Sequence, residues 1–527
     1  MNVLVAWQNI IGKENVLTDI STISSAKVAT FFTKQNILAV IQPIDTKQIQ
    51  MCVTTANQYK TPIYPISCGK NWGLGSKVPA QSNCVIMDLG RLNRILDFNE
   101  NLAYITVEPG VTFRQVAEFL KEKKSNLCLS SIGGSPEASL IGNTLERGDG
   151  TGHYGERFNY TCGFEVVLPT GELIHTGLGR FANAKTSNTH RWGVGPYVDG
   201  IFTQSNLGIV TKMTMWLMPI PKYFQTFNLA VNNTSHLESL IDTLQNLMLH
   251  GVLKNNGFSL WNCYKLLARQ GRYPWKKTAD KTPLSLIELK GAEPWLGSGE
   301  LYSASREVGL AERKIITEAL KGLVKDIVFT DSDTDSNLIR EKLSDPPKNT
   351  NIKSTYWRKK QQIPVQMNPD RDGCGVIWLC PALPFKGQQV VEAVQIIEST
   401  VKSYQFEPNI AMTCTSARSI HMFLAIMYDR EVEGEDERAM ECHDKTLRLL
   451  TQNGYIPYRL GIQSMNSLPP AQDDYGHLIG TLKRGLDPNN ILSPGRYDFK
   501  KEWSETLNEK FESNFEQLTE LNQIVLR

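Results

Sequence analysis

The stretch Gly69-Lys70-Asn71-Trp72-Gly73-Leu74-Gly75-Ser76 follows directly on the strand-like run from Pro62 to Ser67. Three glycines at such a point let the chain turn sharply and approach a ligand closely through its backbone. Successive backbone N–H groups in a loop of this kind form a concavity that suits a pyrophosphate. The string matches neither a Walker loop nor GxGxxG. By itself, an ordinary glycine-rich turn is the simpler reading. A second string, Gly177-Leu178-Gly179-Arg180-Phe181-Ala182, imitates a dinucleotide motif after a strand. It is rejected because the polar residues from Asn183 to Asn188 supply no apolar helix face.

Working outward from the loop, Ile37 to Gln42 reads as a buried strand, followed by a helix opened by Asp45 with Gln48 in the capping-box position. Ile49, Cys52, Val53 and Ala56 recur at helical spacing and give that helix an inner face. On the other side come a strand from Val85 to Leu89 and a hairpin pairing Ile95 to Phe98 with Ala103 to Val107. Thr112 and Gln115 mark a second helix start, and Pro169-Thr170-Gly171 turns a further hairpin between Cys162 to Leu168 and Glu172 to Thr176. After Pro219-Ile220-Pro221 the texture changes to polar loops and longer amphipathic helices, such as Arg306 to Val324 and Glu435 to Asn453. A domain boundary is expected there. The segment from Asp331 to Thr355, rich in Asp, Ser, Asn, Lys and Pro, reads as an exposed or mobile excursion.

A chain of 527 residues is too long for one hydrophobic core and implies several folding units. With 56 basic and 54 acidic residues the formal charge is +2, which argues against a nucleic-acid groove or an anionic membrane surface and for a small-molecule partner. No stretch has the apolar length of a membrane span, and the start Met1-Asn2-Val3-Leu4-Val5-Ala6-Trp7-Gln8 lacks the features of a signal peptide, so a cytoplasmic enzyme is expected. Ten cysteines without a CxxC pair and eight histidines without HExxH leave no metal site in view.

The order of the motifs carries more than any one of them. The glycine loop is followed by Val107-Glu108-Pro109-Gly110-Val111, by Ile141-Gly142-Asn143-Thr144-Leu145-Glu146-Arg147-Gly148, and by Ser205-Asn206-Leu207-Gly208-Ile209-Val210-Thr211. Gly195 to Gly200 and the late run Asp487-Pro488-Asn489-Asn490-Ile491-Leu492-Ser493-Pro494-Gly495 complete the series. It resembles the vanillyl-alcohol oxidase and p-cresol methylhydroxylase flavoprotein family. The resemblance implies an α+β fold: a bipartite FAD-binding domain of the p-cresol methylhydroxylase type with an inserted α+β substrate cap. It places the first part of the FAD domain at 1–222, the cap at 223–455 and the returning C-terminal segment at 456–527.

The same resemblance implies roles for individual residues. Gly69, Lys70, Asn71, Trp72, Gly73, Leu74, Gly75 and Ser76 would hold the FAD pyrophosphate. Pro109, Gly110, Val111, Gly142, Asn143, Gly208, Ile209 and Val210 would line the cofactor through their backbone. His421, in Arg418-Ser419-Ile420-His421-Met422, would be the point of a covalent flavin tether; a hydrogen-bonded core histidine is the structural alternative. Tyr458 and Arg459 stand where phenol-oxidising members carry a Tyr-Arg pair, and a permanent cation beside a phenolic O–H donor would favour a phenolate. Tyr154 matches a tyrosine near the substrate. Two departures accompany these matches. Leu74 replaces a third phenolate-binding tyrosine, and the region Ser130 to Glu137 holds no aspartate where an acid near flavin N5 is expected, which leaves Glu137 as the substitute carboxylate.

The expected activity is FAD-dependent removal of a hydride from an organic alcohol or para-substituted phenol to flavin N5, with electrons passing on to O2 or a protein acceptor. Two alternatives stay open: oxidation of a non-phenolic alcohol, amine or biosynthetic intermediate, and a flavin-binding component without turnover. The family further implies a homo-oligomer.

Overall fold

The computed structural model describes residues 2–231, 233–278, 282–284, 293–332, 336–346, 349–467 and 473–498. The part of the expected C-terminal segment beyond residue 498 lies outside them. The first sheet has four strands in the order Val16–Leu17, Ile37–Ile41, Cys84–Asp88, Ile63–Ile66, with the last three parallel. The helix Thr46–Gln58 crosses between two of them and buries Ile49, Cys52, Val53 and Ala56 against the sheet, the face its spacing predicts. Asp45 caps it by accepting from Gln48 N at 2.7 Å. Gln48 does not return the bond to Asp45; its side-chain oxygen accepts from Ile44 N. Thr112 likewise caps the helix Phe113–Glu122 by accepting from Gln115 N.

The second sheet is antiparallel, in the order Ile95–Asn99, Tyr104–Val107, Ile209–Trp216, Thr161–Val167, Leu173–His175. The C-terminal return pairs its backbone with the first sheet, while Leu482 and Leu486 pack against the core of the second. Ile63 N donates to Ile491 O and Ser493 N donates to Ile63 O, and Ile491 and Leu492 enter the core around Ile49 and Val85. Buried Lys483 fixes this return through Asp487 at 2.6 Å and the carbonyls of Asn206 and Leu492.

From Tyr223 the chain builds an eight-stranded antiparallel sheet in the order Asp326–Ser332, Tyr223–Val231, Trp295–Ser303, Phe258–Asn262, Asn409–Ser416, Ser419–Asp429, Cys374–Leu379, with Ala382–Pro384 also paired to Ser419–Asp429. Strand alternation divides its residues between two faces. Leu260, Ile410, Met412, Met422, Leu424, Ile426, Ile377 and Leu379 face the helices Leu237–Leu249, Gly387–Ser403 and Glu435–Gln452 and form the largest core. The opposite face carries Ser259, Trp261, Ala411, Thr413, His421, Phe423 and Trp378, and turns toward the first half of the chain. The segment expected as an excursion is instead part of the fold. Its described residues include the last two of the strand Asp326–Ser332 and the helices Ser336–Ser344 and Thr350–Thr355, with Ile339 and Ile352 buried. Polar composition misled here because a few apolar residues at the right spacing suffice to dock a short helix.

Candidate active site

Between the first two sheets and the bare face of the large sheet lies a cavity of about 710 Å³. Its size suits a small-molecule site. Of the glycine loop, Gly69, Lys70, Asn71, Trp72, Leu74 and Ser76 line it. Gly73 and Gly75 do not, and they serve packing. Both have positive φ, at 77° and 120°, and a side chain on Gly73 would strike the Trp378 indole and one on Gly75 the Ile462 side chain. The expectation of a row of free N–H donors also changes. Gly73 N donates to Thr30 Oγ1, and Leu74 N and Ser76 N both donate to Asn71 O, so these three serve the loop itself.

Pro109, Gly142, Asn143, Gly208, Ile209 and Val210 line the cavity as well. Gly110 and Val111 lie behind it. Gly110 packs against the Gly90 backbone and donates to Leu92 O, and Val111 O accepts from Leu140 N.

Tyr458 and Arg459 both line the cavity. Tyr458 N donates to Cys380 O, and Arg459 donates to Asn71 Oδ1 at 3.1 Å, linking the returning segment to the glycine loop. Burial first, then the charge of Asp149, pushes the Tyr458 hydroxyl well above the ordinary phenol range, so it stays an O–H donor. For Arg459, burial works to lower the pKa, but Tyr458, Cys380, Glu146 and Tyr497 together raise it, which holds the guanidinium charged.

Sequence reasoning missed Asp149. Its Oδ2 pairs with His421 Nδ1 at 2.5 Å, and its other oxygen is buried without a hydrogen-bond partner among the described residues. His421 stacks face to face on Tyr458, with ring centroids 3.9 Å apart and planes 5° from parallel. Asp149 lines the cavity, whereas His421 stands behind it. Glu137 is not brought to the cavity. Its half-exposed side chain pairs with Arg114 at 2.5 Å on the surface. Tyr154 stacks on Tyr160 with centroids 3.8 Å apart and does not line the cavity either.

Buried polar atoms without partners are uncommon and call for a ligand or water. Among the described residues, such atoms on Asp149, Ser205, Tyr458, Arg459 and Arg269 all belong to cavity-lining side chains. Their convergence, beside walls rich in glycine and serine, fits a polar cofactor with a substrate next to it.

A family model described as an FAD binding domain matches residues 37–177. Over 87% of this chain and 87% of the other, the sequence is 31% identical to the flavoprotein subunit of 4-cresol dehydrogenase (hydroxylating) from Pseudomonas putida. The chain is a member of the p-cresol methylhydroxylase-type flavoprotein family. This flavoprotein is also 44% identical to 1'-carboxy-chondrochloren decarboxylase from Chondromyces crocatus, over 95% of its own length and 97% of that protein. It superposes on the crystal structure of p-cresol methylhydroxylase with substrate bound at a TM-score of 0.86 and 28% identity, covering 95% and 97% of the two chains. It is therefore an FAD-dependent oxidoreductase. No helix among the described residues is long and apolar enough to cross a membrane.

Proposed function

We propose that this flavoprotein removes a hydride from the ring-adjacent carbon of a para-substituted phenol. The observation that carries this reading is the buried Tyr458 hydroxyl beside the charged Arg459 guanidinium in the cavity wall. An O–H donor and a fixed cation together stabilise a phenolate oxygen, and a phenolate pushes electron density toward the para carbon as its hydride departs. FAD, when bound, accepts that hydride. Leu74 stands in the loop as an apolar contact, so Tyr458 and Arg459 carry the phenolate without a third hydroxyl from that position. Likeness to proteins named for p-cresol and 4-cresol supports the substrate class.

Asp149 is the carboxylate available to take a proton or to balance positive charge in the wall, in the role first sought between Ser130 and Glu137. His421 acts through it as a positioning residue, since its Nδ1 fixes one carboxylate oxygen. Electrons then leave to O2 or to a protein acceptor. Anaerobic mixing of the FAD-loaded protein with a panel of 4-alkylphenols tests the reading: flavin absorbance should bleach with saturable kinetics. A panel that leaves the flavin oxidised sinks it and favours a non-phenolic substrate.

A further inference from the structure

The cap contributes a second charged region to the same cavity. Asn262 opens the helix Cys263–Gln270 by accepting from Lys265 N at 3.0 Å. Lys265 and Arg269, four residues apart, therefore project from one face of that helix. Both line the cavity, and Lys265 is only 7% exposed. Among the described residues neither makes an ion pair, and Arg269 Nε is buried with no hydrogen-bond partner. Each cation lies against an indole of the cavity face: Lys265 Nζ is 4.8 Å from the Trp378 ring centre and the Arg269 guanidinium 4.9 Å from that of Trp261. Such contacts offset only part of the cost of desolvating a cation. Burial, and after it the nearby Arg269 charge, pulls the Lys265 pKa down to about 7. A leucine or methionine would fill this space at no such cost.

The spacing relates this region to the phenol end. Trp378, under Lys265, and Cys380, whose carbonyl holds Tyr458 N, both line the cavity two residues apart. That is a step of ~7 Å along an extended chain, on the scale of one substituted ring. We propose that Lys265 and Arg269 bind a carboxylate on the substrate, which is then a para-substituted phenol whose side chain ends in an acid group. The inference rests on the phenol reading for the ring and on the two unpaired cations for the acid. Near neutral pH the pair carries between one and two positive charges. A carboxylate offers one acceptor oxygen to each cation and neutralises one of their charges. Binding draws Lys265 to its charged form and so takes up protons.

Flavin difference spectra of the FAD-loaded protein test the acid site without turnover, using 3-phenylpropanoate and its methyl ester, which carry no phenol. The acid is expected to bind about 10- to 100-fold more tightly than the ester, the range of a hydrogen bond to a charged group. In Lys265→Met/Arg269→Met that ratio should fall to near one. Should the double variant fail to fold, Lys265→Gln and Arg269→Gln each carry the same comparison. Equal affinity for acid and ester in the parent overturns the proposal, as does a variant that keeps the preference. A variant whose flavin content or spectrum changes while the preference survives assigns the cations to the flavin, and also overturns it. The phenol reading fails separately, when 4-ethylphenol leaves the flavin oxidised although the acid preference stands.

Discussion

Arg358 with Lys359, and Lys265 with Arg269, are two basic pairs drawn into the interior to opposite ends. Arg358 is fully buried and holds Glu407 at 2.7 Å and Glu435 at 3.0 Å, and Glu407 accepts further bonds from Tyr273 and Leu284 N. Lys359 pairs with Asp429 at 2.8 Å. The desolvation of these charges is met within the chain, and the network joins the strands to the helix Glu435–Gln452. Lys265 and Arg269 receive no carboxylate from the described residues. A paired cation belongs to the architecture, whereas a bare one in a cavity wall is kept at a cost to stability and points to a ligand.

The contrast breaks most sharply at Arg358. Arg358→Met leaves buried Glu407 without its cation, while Glu435 keeps Arg438, and should cost about 3–5 kcal/mol, read as a lower midpoint in chemical unfolding. A variant as stable as the parent would remove the distinction between the two pairs. Next in size is the phenolate end. Arg459→Ala should slow anaerobic flavin reduction by a 4-alkylphenol about 100- to 1000-fold, as for loss of a preorganised donor. Asp149→Asn should slow it ~100-fold. His421→Ala should have the smaller effect expected of a residue acting through Asp149, and after acid precipitation should divide its flavin between pellet and supernatant as the parent does. Release confined to that variant would put the tether on His421. The smallest effect sharpens the comparison. Lys265→Met should raise Tm, because the parent must bury a charge. With the folded pKa near 7 and the unfolded value near 10.5, the unfolded state binds more protons between those limits. The parent therefore gains stability as pH rises through that window, and the Tm gap should narrow from pH 7 upward. A gap independent of pH would mean that the lysine is not desolvated.

Much of the FAD half was legible in the sequence. The start and inner face of the helix Thr46–Gln58 and the ends of the hairpin strands Ile95–Asn99 and Tyr104–Val107 were expected within a residue of those observed. Their signals are local, namely a capping side chain, a period of apolar residues and a turn. The ordered glycine motifs likewise pointed to FAD, because close backbone approach restricts which residues fit. The same reasoning gave every glycine of the loop a cofactor role, although Gly73 and Gly75 are small for the sake of Trp378 and Ile462, hundreds of residues away.

What the sequence determined by itself was therefore the elements flanking the glycine loop, the flavoprotein character and the Tyr458–Arg459 pair. The tertiary structure alone decided that Asp149 meets His421 across 272 residues, that Glu137 turns outward to Arg114, and that Lys265 meets no carboxylate among the described residues while Arg358 meets two. The reason is physical. Secondary structure follows from neighbours along the chain, whereas a charge is compensated or left bare by whatever distant segments fold around it.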